Sequence, residues 1–352
     1  MTFSDQTNEA DAITMIERFA AAPPGLLGER AELDTARVYN DGKTEEMLGE
    51  IITGKLPPEV VGKLSVATKA NPKMSLSAEG VLSQMAGSLA AMKAEDCDLY
   101  YLHSPDSKVP IEETLEAVQK LYEQGKFKRF GLSNYTAWEV VYIHSYMKSK
   151  GWVLPVIYQV RAPSLRRIDG GSRAERALRR PMAAPRHAAP RAPAALGGGR
   201  ERVVVVAHRR RRAQSPQGMM NPLTRDSSEN LLPALRRLGM GFNLYNPLAG
   251  GLLTGKHAAI IGDDSAPTGR FSGLGMSEMY RKRFMRDEYF EATAAALAAC
   301  AKEGIPPAEA ALRWCMHHAD LNAADGIIIG VSKLEQVRRP SLARSLARSL
   351  AH

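Results

Sequence analysis

Residues 64–103, LSVATKANPKMSLSAEGVLSQMAGSLAAMKAEDCDLYYLH, contain the clearest indication of the fold. This stretch opens with the apolar run Leu64–Lys69, continues through the amphipathic segment Ser77–Ala94 and closes with a second apolar run, Asp98–His103. Neither apolar run alternates strictly between apolar and polar residues, which is typical of strands that are covered on both faces. The stretch therefore predicts a strand, a helix and a second strand parallel to the first.

The same alternation continues on both sides of this unit. Further strand-like runs are Glu32–Thr35, Phe127–Ser133, Val156–Gln159, Gly241–Asn246 and Gly326–Gly330. Further helical patterns are Asn8–Ala22, Thr44–Thr53, Ile111–Gln124, Thr136–Lys150, Arg225–Leu238, Asp287–Lys302 and Pro307–His317. Strands that alternate with helices this often predict an α/β fold, a (β/α)8 TIM barrel in which one strand is not visible in the sequence.

Composition and cysteine usage fit an ordinary globular protein. The chain has 352 residues, of which 44% are apolar and 24% are charged. Its cysteines, Cys97, Cys300 and Cys315, have neither a disulfide framework nor the spacing of a zinc site, so we expect a reducing compartment and no metal ion. No apolar run approaches the roughly 20 residues of a membrane-spanning helix. These features argue against a disordered, collagenous, secreted or membrane protein.

The positive charge of the chain is concentrated in one segment. Residues 160–217 hold 15 arginines and three acidic residues, whereas the rest of the chain has 32 basic and 35 acidic residues. A fold that binds nucleic acid would carry its basic residues across a folded face. The net charge of +9 therefore does not indicate a nucleic-acid-binding fold.

Polar side chains follow the ends of five predicted strands. They are Asp34, Lys69, His103, Ser133, Asn134 and Gln159. In a closed barrel the C-terminal ends of the strands meet at one mouth, where enzymes of this fold carry their active sites. Any one of these residues could simply terminate a strand, but together they predict an active site at that mouth.

Six motifs carry a family resemblance. They are LDTARVY (33–39), VATKANP (66–72), LYYLHSPD (99–106), GLSNYTAWEV (131–140), YNPLAGGLLTGK (245–256) and GVSKLEQ (330–336). In this order they resemble the aldo-keto reductases, nearest to the group of aflatoxin-aldehyde and succinic-semialdehyde reductases. The resemblance implies that NADPH reduces an aldehyde (aromatic, dicarbonyl or semialdehyde) to an alcohol.

The resemblance also assigns four catalytic residues. Tyr39 would be the proton donor, and His103 would orient and polarise the substrate carbonyl. Lys69 would place a cation beside the phenol, and Asp34 would hold that ammonium charged and aimed. Taken singly, Tyr39 could be a turn tyrosine, Lys69 a side chain extending from a strand end and His103 a core histidine.

Cofactor-binding residues follow from the same resemblance. Ser133, Asn134 and Gln159 would bind the nicotinamide carboxamide, and Tyr245 would stack on the ring. The pyrophosphate would lie along Leu248, Gly250, Leu252 and Lys256, although Gly250 and Gly251 could also form a flexible turn. The last motif would supply Gly330, Ser332, Lys333 and Gln336, with Lys333 at a 2′-phosphate. No GxGxxG motif follows a strand, which argues against a Rossmann domain.

Two residues concern the choice of substrate. Tyr280 and Arg283, within MYRKRF (279–284), match a pair that contacts the substrate carboxylate in the resembling group. An arginine suits this role because its guanidinium binds a carboxylate with two parallel hydrogen bonds. The alternative is that Arg283 belongs to a solvated basic helix face.

The chain departs from the family pattern at both ends and in the middle. Residues 1–159 and 218–336 would form the two parts of the barrel, which is expected to lack most of its first strand and its C-terminal helix. Residues 160–217 are expected to be a disordered, arginine-rich insertion after the sixth strand of the family barrel, and residues 337–352 a low-complexity tail. We interpret both stretches as translated non-coding sequence. Val160 requires a codon that begins with GT and Gln217 can be encoded by CAG, so residues 160–217 could begin and end like an intron. The tail opens with VRRPSL (337–342), much as the insertion opens with VRAPSL (160–165).

The sequence also allows functions other than that of a reductase. Clustered arginines in 160–217 could instead bind nucleic acid, although no aromatic residue is present there for base stacking. The chain could also be a non-enzymatic cofactor-binding module that resembles potassium-channel β subunits, or an inactive truncated product. We expect a small-molecule aldehyde substrate, no membrane partner, a possible homodimer and a cytoplasmic location, with the reservation that an N-terminal targeting segment could be missing.

Overall fold

A single parallel sheet organises the part of the chain that the structure describes. The computed structural model describes residues 7–21, 30–159, 220–256, 271, 276–318, 320–322 and 324–330. The strands are β1 (Ala31–Asp34), β2 (Leu64–Ala70), β3 (Cys97–Leu102), β4 (Phe127–Ser133), β5 (Pro155–Gln159), β6 (Gly241–Tyr245) and β7 (Gly326–Ile328). Each strand pairs in parallel with the next one along the chain, in the order β1 to β7.

Helices follow the strands and cover the outer face of the sheet. They are α1 (Glu9–Ala20), α2 (Lys43–Gly54), α3 (Pro58–Val61), α4 (Ala78–Met92), α5 (Ile111–Glu123), α6 (Ala137–Lys150), α7 (Asp226–Asn230), α8 (Leu232–Arg237), α9 (Met276–Phe284), α10 (Asp287–Lys302) and α11 (Pro307–His317). Side-chain caps start several of them: Ser77 accepts the backbone N–H of Gly80 at the start of α4, and Thr136 and Glu139 form a capping box at the start of α6.

Side-chain contacts across the sheet show that it curls into a nearly closed barrel. Arg129 of β4 pairs with Glu32 of β1, with 2.9 Å between Nη2 and Oε2. Asn243 of β6 donates to the hydroxyl of Tyr101 on β3 at 3.2 Å. Neither pair belongs to neighbouring strands, so both cross the interior. Among the described residues, β1 and β7 do not pair with each other.

The barrel has two apolar layers, one inside it and one between the sheet and the surrounding helices. Ala67, Leu99, Tyr101 and Ile157 form a small buried cluster from β2, β3 and β5. The larger cluster faces the helices and includes Leu102, Leu115, Phe130, Val140 and Leu232. Successive residues of one strand belong to different clusters, as Tyr101 and Leu102 do, because their side chains point to opposite faces of the sheet. The interior is therefore a packed core beneath the C-terminal mouth of the barrel.

The architecture predicted from the sequence is confirmed, with small shifts at element ends. The segment Arg225–Leu238, predicted as one helix, forms the two short helices α7 and α8. Pro233 lies at the start of α8, where its ring and missing N–H are tolerated but cannot continue a helix from upstream. Residues 160–217 and 337–352, for which we predicted an insertion and a tail, lie outside the described residues.

Candidate active site

Asp34 and Lys69 form an ion pair at the mouth of the barrel, in which Lys69 is fully buried and Asp34 is partly buried. Asp34 ends β1 and Lys69 lies one residue before the end of β2, so parallel pairing brings them to the same edge. The ammonium Nζ lies 2.6 Å from Oδ1 of Asp34 and donates to the carbonyl oxygen of Thr35 at 2.6 Å. Burial by itself would lower the pKa of Lys69, and it is the largest single effect. The charge of Asp34, its hydrogen bond and the smaller contributions of Tyr39 and Glu32 together outweigh burial and raise the pKa above its ordinary value. Lys69 is therefore a buried cation at neutral pH.

Tyr39 lies beside this cation. It begins a short 3-10 turn, Tyr39–Gly42, in which Asn40 and Asp41 both have positive φ. Nζ of Lys69 lies 5.2 Å from the centroid of the Tyr39 ring. This turn holds the Tyr39 side chain beside Lys69 at the mouth of the barrel.

His103 completes the group of four. It follows β3 directly, and its backbone N–H donates to the carbonyl of Ala70 at 2.8 Å. Its ring meets the ring of Tyr39 edge to face, with 5.6 Å between centroids and 82° between planes. Its side chain is buried, and Nδ1 lies 3.1 Å from Nδ2 of Asn71. The structure thus brings together the four residues that sequence reasoning grouped as catalytic.

A buried carboxylate that sequence reasoning missed fixes the Tyr39 turn against β2. Glu45, at the start of α2, accepts from the hydroxyl of Thr68 at 2.5 Å and lies 3.4 Å from the guanidinium of Arg37. Gly42 lies against that guanidinium, and a side chain at this position would overlap it. The sequence offers a weak signal: an acidic residue in the first turn of α2 that has basic and hydroxyl partners only in the tertiary structure.

Ser133, Asn134 and Gln159 lie at the same rim. Asn134 has a φ of +65° and donates from Nδ2 to the hydroxyl of Ser133 at 2.9 Å and to the carbonyl of His103. Gln159 donates from Nε2 to Oδ1 of Asp34 at 2.8 Å. These three residues therefore form hydrogen bonds within the site, which sequence reasoning had not assigned to them.

The loop after β6 has a specific backbone conformation, with several positive φ angles and a side-chain hydrogen bond. Asn246, Ala249, Gly250 and Gly251 all have positive φ, and the N–H of Gly250 donates to Oδ1 of Asn246 at 2.7 Å. A Cβ at Gly250 would lie 2.8 Å from the ring of Tyr280, so this backbone packs closely against that ring. Leu248 and Leu252 pack in the same region, where Leu252 is buried, whereas Lys256 is exposed.

Arg283 is buried beside two tyrosines. Its Nη1 lies 3.4 Å from the hydroxyl of Tyr245, which ends β6, and its guanidinium carbon lies 5.7 Å from the centroid of the Tyr280 ring. The neighbouring Lys282 points away and is exposed. The solvated face of α9 therefore includes Lys282 and excludes Arg283.

Comparison with known proteins gives the family. The model of the aldo/keto reductase family matches residues 1–179 and 201–345. The chain belongs to this family. The resemblance predicted from the six motifs is thereby confirmed, and this aldo-keto reductase is an oxidoreductase.

Several relatives of this aldo-keto reductase are aligned over most of its length. Aflatoxin B1 aldehyde reductase member 2 of Homo sapiens is 37% identical, over 88% of this chain and 71% of its own length. Aflatoxin B1 aldehyde reductase member 4 of Homo sapiens is 36% identical, over 88% and 77%. The oxidoreductase sirO of Leptosphaeria maculans is 30% identical, over 87% and 73%.

The rim of this aldo-keto reductase fits the nicotinamide cofactor that the family generally uses, NAD(P)H. A carboxamide offers one accepting oxygen and two donating N–H groups. Ser133, Asn134 and Gln159 supply a hydroxyl and two amides at adjoining strand ends, which matches that donor and acceptor set. Gly330 is exposed just after β7, and the remaining predicted cofactor residues, Ser332, Lys333 and Gln336, lie outside the described residues.

The described residues contain neither a metal-binding cluster nor a membrane-spanning helix. Among them, no group of three or more histidine, cysteine, aspartate or glutamate side chains could hold a metal ion. None of the described helices combines the length and apolar character needed to cross a membrane.

Proposed function

We propose that this chain reduces aldehydes to primary alcohols with NADPH and that Tyr39 donates the proton. A nicotinamide held at the rim would supply the hydride for the carbonyl carbon. The carbonyl oxygen takes a proton from the Tyr39 hydroxyl, which leaves a phenolate that solvent reprotonates. The observation that carries the proposal is the 5.2 Å between the buried Lys69 ammonium and the Tyr39 ring.

The charge of Lys69 explains how a phenol can serve as the acid. A phenol releases its proton reluctantly at neutral pH. A fixed cation in a buried site stabilises the phenolate that remains, and it does so more strongly than it would in water. Asp34 keeps the ammonium protonated and in place, so the favourable field exists before substrate binds.

His103 is proposed to orient the substrate. Its ring lies against Tyr39, so a carbonyl oxygen that approaches the phenol also approaches the imidazole. A ring N–H donated to that oxygen would align the carbonyl and favour negative charge on it. Proton donor and orienting group would then act on the same atom.

Substrate and cofactor preferences form the finer part of the proposal. Arg283 and Tyr280, beside Tyr245 at the end of β6, would bind the carboxylate of a semialdehyde, while aromatic and dicarbonyl aldehydes would need only the four catalytic groups. The preference for NADPH rests on Lys333 as the partner of a 2′-phosphate. A homodimer, a cytoplasmic location and the absence of a nucleic-acid partner stay predictions.

The test measures the reduction of a nitrobenzaldehyde through the consumption of NADPH. Tyr39→Phe removes only the hydroxyl and should lower kcat at least about 100-fold, because it removes the general acid. NADPH binding, measured by the fluorescence of the dinucleotide, should be unchanged. Tyr122→Phe, at an exposed tyrosine of α5, is the matched control and should keep full activity. Retained activity in Tyr39→Phe, or a wild-type protein that binds NADPH without reducing aldehydes, would overturn the proposal.

A further inference from the structure

Asn71 makes a buried hydrogen bond to the catalytic histidine. It follows β2 directly, and its Nδ2 lies 3.1 Å from Nδ1 of His103. Only 4% of Asn71 and 2% of His103 is exposed. Because both side chains are removed from water, solvent cannot replace this bond.

The orientation of the Asn71 amide is fixed by its other contact. Asn71 caps the 3-10 turn Pro72–Met74, and its Oδ1 accepts the backbone N–H of Lys73 at 3.0 Å. A backbone N–H can only donate, so the atom that faces it must be the oxygen. The atom that faces His103 is therefore the amide nitrogen, and this assignment follows from hydrogen-bond chemistry.

The backbone of Asn71 is held as firmly as its side chain. Its N–H donates to Oε1 of Gln84 at 2.7 Å, and Nε2 of Gln84 donates to the carbonyl of Ser75 at 2.7 Å. Pro72 restricts the preceding residue to extended backbone, which matches the φ of −119° and ψ of 134° at Asn71. Asn71 thus cannot turn its amide over without losing the contacts on both of its sides.

We infer that Asn71 is a positioning residue that holds His103 in the tautomer with its proton on Nε2. An amide NH₂ group only donates, so Nδ1 must accept and carries no proton. The proton of the neutral ring then lies on Nε2, on the side of the ring away from Asn71. The same contact disfavours an imidazolium, since a proton on Nδ1 would meet a second donor. The inference deepens the proposed function, on which its catalytic meaning rests, by naming which ring nitrogen donates to the carbonyl.

The tautomer can be read directly by NMR of the full chain with ¹⁵N-labelled histidine. The His103 signals are assigned by their loss in His103→Gln. The wild-type protein should show a bare Nδ1 and a protonated Nε2. Asn71→Asp replaces the donor by a group that only accepts, so Nδ1 should gain a proton. Asn71→Leu offers neither, so the two tautomers should exchange and give averaged signals.

Asn8→Asp is the matched control. It makes the same change of charge at the exposed N-cap of α1, where an aspartate caps a helix equally well. It should leave the His103 signals and the aldehyde reduction unchanged. Protonation of Nδ1 in the wild-type protein would overturn the inference. So would a single Nε2-protonated tautomer in Asn71→Leu, a result that stands even if Asn71→Asp does not fold.

Activity separates this inference from the proposed function. Asn71→Asp should lower kcat for a nitrobenzaldehyde about tenfold or more with little change in NADPH binding, because the ring no longer presents its donor to the carbonyl. The NMR spectra need neither cofactor nor substrate. A protein with the inferred tautomer and no reductase activity overturns the proposed function alone. A working reductase whose His103 keeps its tautomer in Asn71→Asp overturns the inference alone.

Discussion

Gln159 and Asp34 join opposite parts of the barrel by one hydrogen bond. Nε2 of Gln159, at the end of β5, donates to Oδ1 of Asp34, at the end of β1, over 2.8 Å and 125 positions of sequence. The same oxygen receives Nζ of Lys69 at 2.6 Å. The carboxylate of Asp34 is thus held from two sides, by the charged donor Lys69 and by the neutral donor Gln159.

Gln159→Leu should destabilise the protein and loosen the site. The substitution keeps the size of the side chain and removes a hydrogen bond to an ionised group, which costs about 1.5–3 kcal/mol. Urea unfolding would measure the loss, and kcat for a nitrobenzaldehyde should fall with it. Gln124→Leu, at an exposed position after α5, should change neither quantity. An unchanged unfolding midpoint in Gln159→Leu would show that the bond does not contribute.

Asp34→Asn should abolish activity and lower stability in a pH-dependent way. Removing Asp34 leaves the fully buried Lys69 ammonium without its carboxylate, at a cost of about 3–5 kcal/mol at neutral pH. In the wild-type protein the raised pKa of Lys69 stabilises the fold below the ordinary value of 10.5, and this contribution disappears as the pH rises through the folded-state pKa. The difference in unfolding free energy between the two proteins should therefore be largest near neutral pH and shrink above about pH 10.5.

Urea unfolding at neutral and alkaline pH would check this dependence. Glu50→Gln is the control, because it breaks the exposed pair of Glu50 and Lys93 and should leave the midpoint nearly unchanged. A difference between Asp34→Asn and wild type that stays constant with pH would contradict the role assigned to the ion pair.

Gly131→Ala should disturb the floor of the site. A Cβ at Gly131 would lie 2.5 Å from Cδ1 of the fully buried Tyr101, whose ring lies 5.5 Å from Nζ of Lys69. Such overpacking costs about 1–3 kcal/mol and displaces the ring beneath the cation, so kcat should fall as well. Gly54→Ala, at the end of α2 with open space around it, should be neutral or slightly stabilising. Thermal unfolding and turnover of both variants test the difference, and equal behaviour would refute it.

Arg283→Met should separate carboxylate-bearing aldehydes from neutral ones. It removes the buried guanidinium next to Tyr245 and Tyr280 while retaining much of the apolar stem. KM for a semialdehyde should rise about tenfold or more, because a charged hydrogen bond is lost, while KM for a nitrobenzaldehyde should stay nearly constant. Lys282→Met, on the exposed side of the same helix, should change neither value. Equal increases for both substrates would indicate a structural role for Arg283.

Strand identity could be predicted because it depends on local pattern. The run Phe127–Ser133 was predicted with the bounds that the structure shows, since a short run enriched in Phe and Leu without strict alternation is typical of a strand in a parallel sheet. The break at Leu231 between α7 and α8 was missed, because the helical periodicity of 225–238 outweighed Pro233. The grouping of Asp34, Lys69 and His103 followed from their positions at strand ends and from the family resemblance.

The alternation of strands and helices, the family and the residues with the chemistry for hydride reduction all follow from the order of the amino acids. Which atoms meet depends on how the chain folds. Three hydrogen bonds join residues far apart along the chain: Asn71 to His103, Gln159 to Asp34 and Thr68 to Glu45. A side-chain hydrogen bond is made or lost when its donor and acceptor shift by a few tenths of an ångström. Their positions are set by how the sheet curls and by how the side chains of the interior pack.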